Sequence, residues 1–414
     1  GVQTCALPIL VKPGGQRDRH AQLAAVRPAG VDAVVVACQA DHPARLLRVG
    51  LGADRDRLVL RGFPLPGISH DAQVILLAQL ALVAQPGLGL GGGVAGIELL
   101  CARRLARVVM PLGIGQAAGI VGKLRQAKVL VVGDHPQGFD ACNYDRDQLV
   151  HRFGTHSERI PVHELIAQAA ALPESVTEVP WQRRSRDFSN LSEMPETPTR
   201  KTLKVYAALQ QQAKTHGYDG IAVRCWPDFF TEYGCAACGA LALMNEDQIP
   251  CGCEADMFGV ISSLLLQWAS GQGAFNTDLV DIDPDQDSVV FWHCGQAPIE
   301  MADRDAPVRA ALHSNRKLPL LSEFALKPGR ITLCRISQGQ GKLRLMLAGG
   351  EMLKAPLAFS GTAGVARLDV HADLYRQRLL AAGMEHHTSL AYGDHRPLLR
   401  KVAQLLDLEL LELA

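Results

Sequence analysis

The chain has 414 residues, 48% of them hydrophobic, with 42 basic and 42 acidic side chains and a formal net charge of zero. That length accommodates two or three domains, and the balanced charge leaves no electrostatic footprint for nucleic acid or an anionic membrane surface. Eleven cysteines, an odd number in a long chain, read as reduced thiols of a cytoplasmic protein rather than as a disulfide framework.

Residues 1–120 stand apart. They hold one Glu (Glu98), one Ser (Ser69), one Thr (Thr4), one Lys (Lys12), one aromatic residue (Phe63) and no Asn. Globular domains mix polar types far more evenly. Such a composition is what GC-rich DNA gives when read out of frame, so residues 1–120 are expected to be an anomalous segment and not a native domain. The most apolar stretch, 74–100, is interrupted by Gln79, Gln85, Pro86 and a glycine cluster. It falls short of the ~20 apolar residues that a membrane helix needs. The glycines of 87–93 lack both the Lys-Ser/Thr of a phosphate loop and dinucleotide-fingerprint spacing, and read as low-complexity sequence.

From residue 123 the pattern becomes that of an α/β protein. An apolar strand is expected over 128–132, ending in Gly133-Asp134. A helix over 149–153, a short strand over 159–162 and a helix over 163–172, stopped by Pro173, follow. The polar stretch 182–199 reads as a linker or surface excursion. Residues 201–216 make an amphipathic helix with Leu203, Tyr206 and Leu209 on one side, ended by Gly217. A buried strand over 221–225, a helix over 256–270 and a strand over 289–294 come next. Beyond residue 300 the texture turns to β, with strands over 330–336, 342–347 and 365–370 between Gly-rich turns. A helix over 397–406 closes the chain.

The residues that carry chemistry lie in the second half. Glu254 and Asp256 sit at the start of the 256–270 helix, where a carboxylate is favoured electrostatically whatever its role. Asp278 precedes an acidic turn, Asp283-Pro-Asp-Gln-Asp287, which a solvated loop explains and which does not match an EF-hand. His293 ends an apolar run, where a lone His is commonly a core residue. His386-His387 falls on an expected loop, and adjacent side chains diverge, so one of the two faces any given ion. Two carboxylates with imidazoles suit Mn²⁺ or Mg²⁺ better than structural zinc. A rival reading uses Cys235, Cys238, Cys251 and Cys253 as a four-thiolate zinc site in a non-catalytic or sugar-binding protein. The single residue between Cys251 and Cys253 is shorter than the usual zinc spacing.

Six segments, taken in order, resemble the L-fucose/L-arabinose isomerase superfamily over about 123–410. They are Val131-Val-Gly-Asp-His-Pro-Gln-Gly-Phe-Asp140, Arg224-Cys-Trp-Pro227, Pro250-Cys-Gly-Cys-Glu-Ala-Asp256, Thr277-Asp-Leu-Val-Asp281, Phe291-Trp-His-Cys-Gly295 and Glu385-His-His-Thr388. The resemblance implies a Rossmann-like α/β region over 121–290 and a β-rich C-terminal domain over 291–414. It implies an aldose–ketose isomerase working through an enediol on a monosaccharide. Glu254, Asp278 and His387 would be the Mn²⁺ ligands, and Glu254 and Asp278 the acid/base pair. His293 has a weaker claim as a ligand, and the Asp278 assignment can slip to Asn276 or Asp281. Assembly as a homo-oligomer, a trimer or hexamer, is implied too, with a neighbour's N-terminal domain completing the site. Residues 1–120 show no such resemblance.

Overall fold

The computed structural model describes residues 112–414 and, before them, five strands between residues 4 and 61. The apolar stretch 74–100 and its glycine cluster lie outside the described residues. The chain divides into two compact units, residues 1–115 and 116–414. In the first, β1 (Thr4–Val11), β2 (Arg19–Val26), β3 (Ala33–Ala40), β4 (His42–Leu51) and β5 (Leu58–Arg61) pair antiparallel in chain order.

The second unit is mixed α/β. Helix α1 (Leu112–Leu124) leads into β6 (Lys128–Val132), followed by α2 (Arg146–Phe153), β7 (His156–Ile160) and α3 (Val162–Ala171). Then come α4 (Glu178–Asp187), α5 (Glu196–His216), β8 (Gly220–Val223), α6 (Cys238–Glu246), β9 (Cys251–Gly252) and α7 (Met257–Ser270). The strands form a four-stranded parallel sheet ordered β7-β6-β8-β9. Val129 to Val132 are all fully buried, as expected of a parallel strand covered on both faces. Leu130 and Val132 pack into the core that holds Leu203 and Leu209 of α5. Val129 and Val131 pack into the opposite core, with Met257 and Leu264 of α7.

The stretch 182–199, expected as a linker, is instead mostly helical, spanning α4 and the start of α5. Two of its arginines are paired within the fold. Arg184 is fully buried and its Nη2 donates to Glu246 Oε1 at 2.8 Å, and Arg183 pairs with Asp247 at 2.8 Å. Part of the polar composition there marks internal ion pairs, while Arg186, Glu193 and Glu196 are exposed.

The remaining strands are β10 (Phe275–Asp283), β11 (Ser288–His293), β12 (Arg309–Ala311), β13 (Leu321–Ala325), β14 (Gly329–Ser337), β15 (Arg344–Met352), β16 (Thr362–Leu368), β17 (His387–Tyr392) and β18 (Glu409–Glu412). They form one nine-stranded sheet, and an additional pairing of β15 with β16 closes six of them into a ring, β16-β11-β10-β17-β14-β15. Closure removes the free edges of those six strands. Helices α8 (Ala372–Ala382) and α9 (Arg396–Leu405) pack on this sheet. The sheet reaches back across residue 290, because β10 and the start of β11 lie before it. No helix among the described residues is long and apolar enough to cross a membrane.

Candidate active site

The parallel strands β6, β8 and β9 deliver their carboxyl ends to one edge, the position where open α/β sheets place ligands. Beyond β9 the chain makes a short 3₁₀ turn, Cys253–Ala255, in which Glu254 takes φ 60° and Ala255 φ 56°. Left-handed backbone at non-glycine residues is costly and gathers at functional positions. Here it turns the Glu254 side chain toward the ring of strands.

Asp256 follows and caps α7. Its Oδ1 accepts from Gly259 N at 2.9 Å, while Oδ2 accepts from Arg335 Nη1 of β14 and lies 2.9 Å from His387 Nδ1 of β17. Glycine at 259 is required by this packing, since a Cβ there would run into the Asp256 carboxyl and approach Asn276 Oδ1 to 2.9 Å. Asp256, Arg335 and His387 are all buried. Burial pushes the Asp256 carboxyl up, but Arg335 and His387 outweigh it and hold it well below the ordinary carboxylate range. Asp256 is therefore an anion, and it accepts the His387 Nδ1–H. This fixes the tautomer that leaves the Nε2 lone pair free.

His387 Nε2 is buried without a hydrogen-bond partner. It lies 3.6 Å from Glu254 Oε2 and 3.5 Å from Asp278 Oδ1. Asp278 is not on a solvated loop; it sits in β10, directly opposite His387 of β17, and the strand bulges just beyond it, between Leu279 and Asp281. Opposed residues of an antiparallel pair share a face, which is why these two side chains meet although 109 positions (387 − 278) separate them in sequence. His387, expected on a loop, is the first residue of β17.

His293, at the end of β11, completes a second side of the site. Its Nε2 is 3.9 Å from Asp278 Oδ2, and its ring centroid is 5.5 Å from that of His387. Its Nδ1 accepts from the Cys294 N–H at 2.8 Å, so in the neutral ring the proton resides on Nε2. That geometry suits a donor better than a ligand. Two groups among the described residues bring donor atoms within 4.8 Å of one another, Asp278, His293 and His387 in one and Cys142, Glu254, His386 and His387 in the other, so Glu254 and Asp278 fall in separate groups that share His387. In the second, burial pushes the Cys142 thiol far above its ordinary range. His386 Nε2 is 3.0 Å from Glu254 Oε2. Burial lowers the His386 imidazole, but the Glu254 hydrogen bond and charge more than reverse this, and it ends above its ordinary value. Burial likewise raises Glu254, and His386, His387 and His293 together bring it below.

The rival zinc set is not assembled. Neither metal-holding group among the described residues includes Cys235, Cys238, Cys251 or Cys253. Cys253 Sγ instead donates to Cys225 Sγ at 2.7 Å, and Cys238, a free thiol, shares hydrogen bonds with Cys253 and Cys294. Asn276 approaches Gly259 from β10 with both side-chain polar atoms unpartnered, and Asp281 lies beyond the bulge. Two members of the network had no role in the sequence reading: Asp256, named only as a helix start, and Arg335. The available signal for Arg335 was a charged residue between Cys334 and Ile336 in a strand otherwise apolar at that point.

Comparison with known proteins agrees with this architecture. Residues 291–413 match the family model described as L-fucose isomerase, C-terminal domain. The sulfoquinovose isomerase of Priestia megaterium is 32% identical over 291 residues, covering 70% of this chain and 65% of that protein. The sulfoquinovose isomerase of Clostridium sp. (strain MSTE9) is 30% identical over 296 residues, 71% of this chain and 66% of that protein. The match thus spans just under two thirds of the length of these relatives. Residues 291–413 thus belong to the L-fucose isomerase C-terminal domain family, and the chain is similar to sulfoquinovose isomerases over about 70% of its length.

Proposed function

We propose that this chain is an aldose–ketose isomerase of monosaccharides in which Glu254, Asp278 and His387 hold a divalent cation, Mn²⁺ by its donor set, and Glu254 and Asp278 move the protons. On this reading the parallel sheet is the family's Rossmann-like layer, with the site at its carboxyl edge. One observation carries the proposal. His387 is buried with its Nδ1 committed to an anionic Asp256, and its free Nε2 is directed between two carboxylates. An imidazole bonded to a carboxylate on one nitrogen and open toward oxygen ligands on the other is the usual support of a metal-bound His. Two hard carboxylates beside one imidazole favour Mn²⁺ or Mg²⁺ over a thiophilic ion.

When bound, the cation supplies positive charge to the two adjacent sugar oxygens and so eases loss of the carbon-bound proton. The protein's own groups do the rest. One carboxylate takes the proton from C2 and returns it to C1, and the other carries the hydroxyl proton from O2 to O1, so hydrogen is conserved through an enediol of the sugar. His293, with its proton on Nε2, donates to a substrate oxygen and is not a ligand. The relatives' activity makes sulfoquinovose, an aldose with a sulfonate at C6, the first substrate to try.

Glu254→Gln tests the reading. Elemental analysis should find about one manganese per parent chain and a sharp loss in the variant, with no turnover of any aldose by the variant. A variant that keeps both its metal and its turnover would sink the proposal.

A further inference from the structure

Resting on the isomerase reading above, we propose that Arg316 is the residue that reads an anionic group, sulfonate or phosphate, at the far end of the sugar. The guanidiniums near the carboxyl ends of the parallel strands otherwise have acid partners: Arg224 Nε lies 2.6 Å from Asp228 Oδ2, and Arg159 Nη1 lies 3.0 Å from Asp134 Oδ2. Among the described residues Arg316 has no carboxylate partner and no side-chain hydrogen bond. It is held only by two aromatic faces, with its guanidinium carbon 4.9 Å from the centroid of Trp226 and 5.1 Å from that of Phe230. Stacking uses the face of the guanidinium and leaves its rim of N–H donors available for an oxyanion.

The turn that carries Arg316 is built for position. His313 is buried, and its Nδ1 accepts from the backbone N–H of Asn315 at 3.3 Å and of Arg316 at 3.4 Å. Lys317 N donates back to His313 O at 2.8 Å, and the His313 ring stands edge-on to Phe230 at 5.1 Å. Phe230 therefore supports both the turn and the cation.

Trp226 connects this cation to the site. It follows Cys225, whose Sγ touches that of Cys253, the residue before Glu254. Phe139 stands edge-on to Trp226 at 5.4 Å and to His386 at 5.6 Å, and His386 bonds Glu254. The wall Arg316–Trp226–Phe139–His386 thus runs along the strand ends from a free cation to the proposed acid/base carboxylate. A sugar whose C1 and C2 lie at Glu254 and Asp278 directs its other end along this wall. A planar guanidinium meets two oxygens of a sulfonate or phosphate at once, which an ammonium does not.

The test titrates the full, Mn²⁺-loaded chain calorimetrically with sulfoquinovose, glucose 6-phosphate and 6-deoxyglucose. The parent should bind at least one of the two anionic sugars more tightly than 6-deoxyglucose, and the tighter of the two identifies the anion. Arg316→Met should weaken that binding about ten- to hundredfold, with 6-deoxyglucose affinity and metal content unchanged. Arg316→Lys should restore part of the loss. Equal weakening of all three sugars would make Arg316 a structural brace, and no change would place the anion elsewhere; either overturns the inference. A parent chain that binds none of the three sugars overturns the isomerase reading, and this inference with it.

Discussion

Two charge networks in the strand ring use the same residue types to opposite effect. Beneath His387, Arg335 and Asp256 form a pair in which each side chain is about 1% exposed. On the rim, Arg330, Asp369, Asp394 and Arg396 form a cluster 13–38% exposed, with Arg396 bound to Asp369 at 2.7 Å and to Asp394 at 2.8 Å. A buried pair is a weak source of net stability but a strict positional constraint, because losing one partner strands the other's charge. A solvated network is screened and forgiving. The difference teaches that, of these two networks, the costly buried one lies where an imidazole has to be oriented.

The largest expected effect comes from breaking the inner pair. Arg335→Met leaves the Asp256 carboxylate buried and uncompensated, at a cost of about 3–5 kcal/mol. Urea unfolding monitored by circular dichroism measures it. Adding Asp256→Asn in the same chain removes the stranded charge and should recover most of the loss. If the single variant unfolds within about 1 kcal/mol of the parent, below the range for a broken buried pair, the pair is not the constraint described.

That double variant supplies the next test, at a smaller magnitude. The amide that Asp256→Asn introduces can offer an N–H to His387 Nδ1, which favours the wrong tautomer and puts the proton on Nε2. Loss of such a supporting carboxylate should weaken divalent-cation affinity about ten- to hundredfold while the fold persists. Titration with Mn²⁺, followed by electron paramagnetic resonance of the free ion, reads this directly. Unchanged affinity would show that His387 needs no orienting anion.

The inner network was also the part least legible in the sequence. The local sequence found β6, α7 and β14 nearly to their ends, because their apolar runs are nearly continuous, and found α5 from its amphipathic face but five residues late. It placed Asp278 and His387 on loops, because their strands are short on apolar alternation and are fixed by pairing with each other across the chain. Asp256 and Arg335 are 79 positions apart, and nothing in either local pattern announces the partner. Only the order of short motifs brought Glu254, Asp278, His387 and His293 together before the fold was known. The polar stretch around Arg184 misled for the converse reason: two of its arginines, Arg183 and Arg184, face Glu246 and Asp247 from within helical structure.

The rim carries the smallest prediction, and the pH at which it should vanish. Its hydrogen bonds from Arg396 bring the Asp394 carboxyl down to about 2 from an ordinary 3.8. A carboxyl depressed in the folded state stabilises the fold above its unfolded pKa, and the contribution is lost as pH falls from about 4 toward about 2. Asp394 is 38% exposed, so solvent screening keeps that contribution under about 1 kcal/mol. Asp394→Asn should therefore lower unfolding stability slightly at pH 7, and the gap to the parent should close progressively below pH 4. Added salt should narrow the gap at pH 7 as well, whereas it should barely touch the Arg335→Met deficit, because mobile ions do not reach a pair buried in the strand ring. A gap at Asp394 that survives both acid and salt would mean that the rim carboxylate acts by packing and not by charge, and the contrast between the two networks would then be one of position alone.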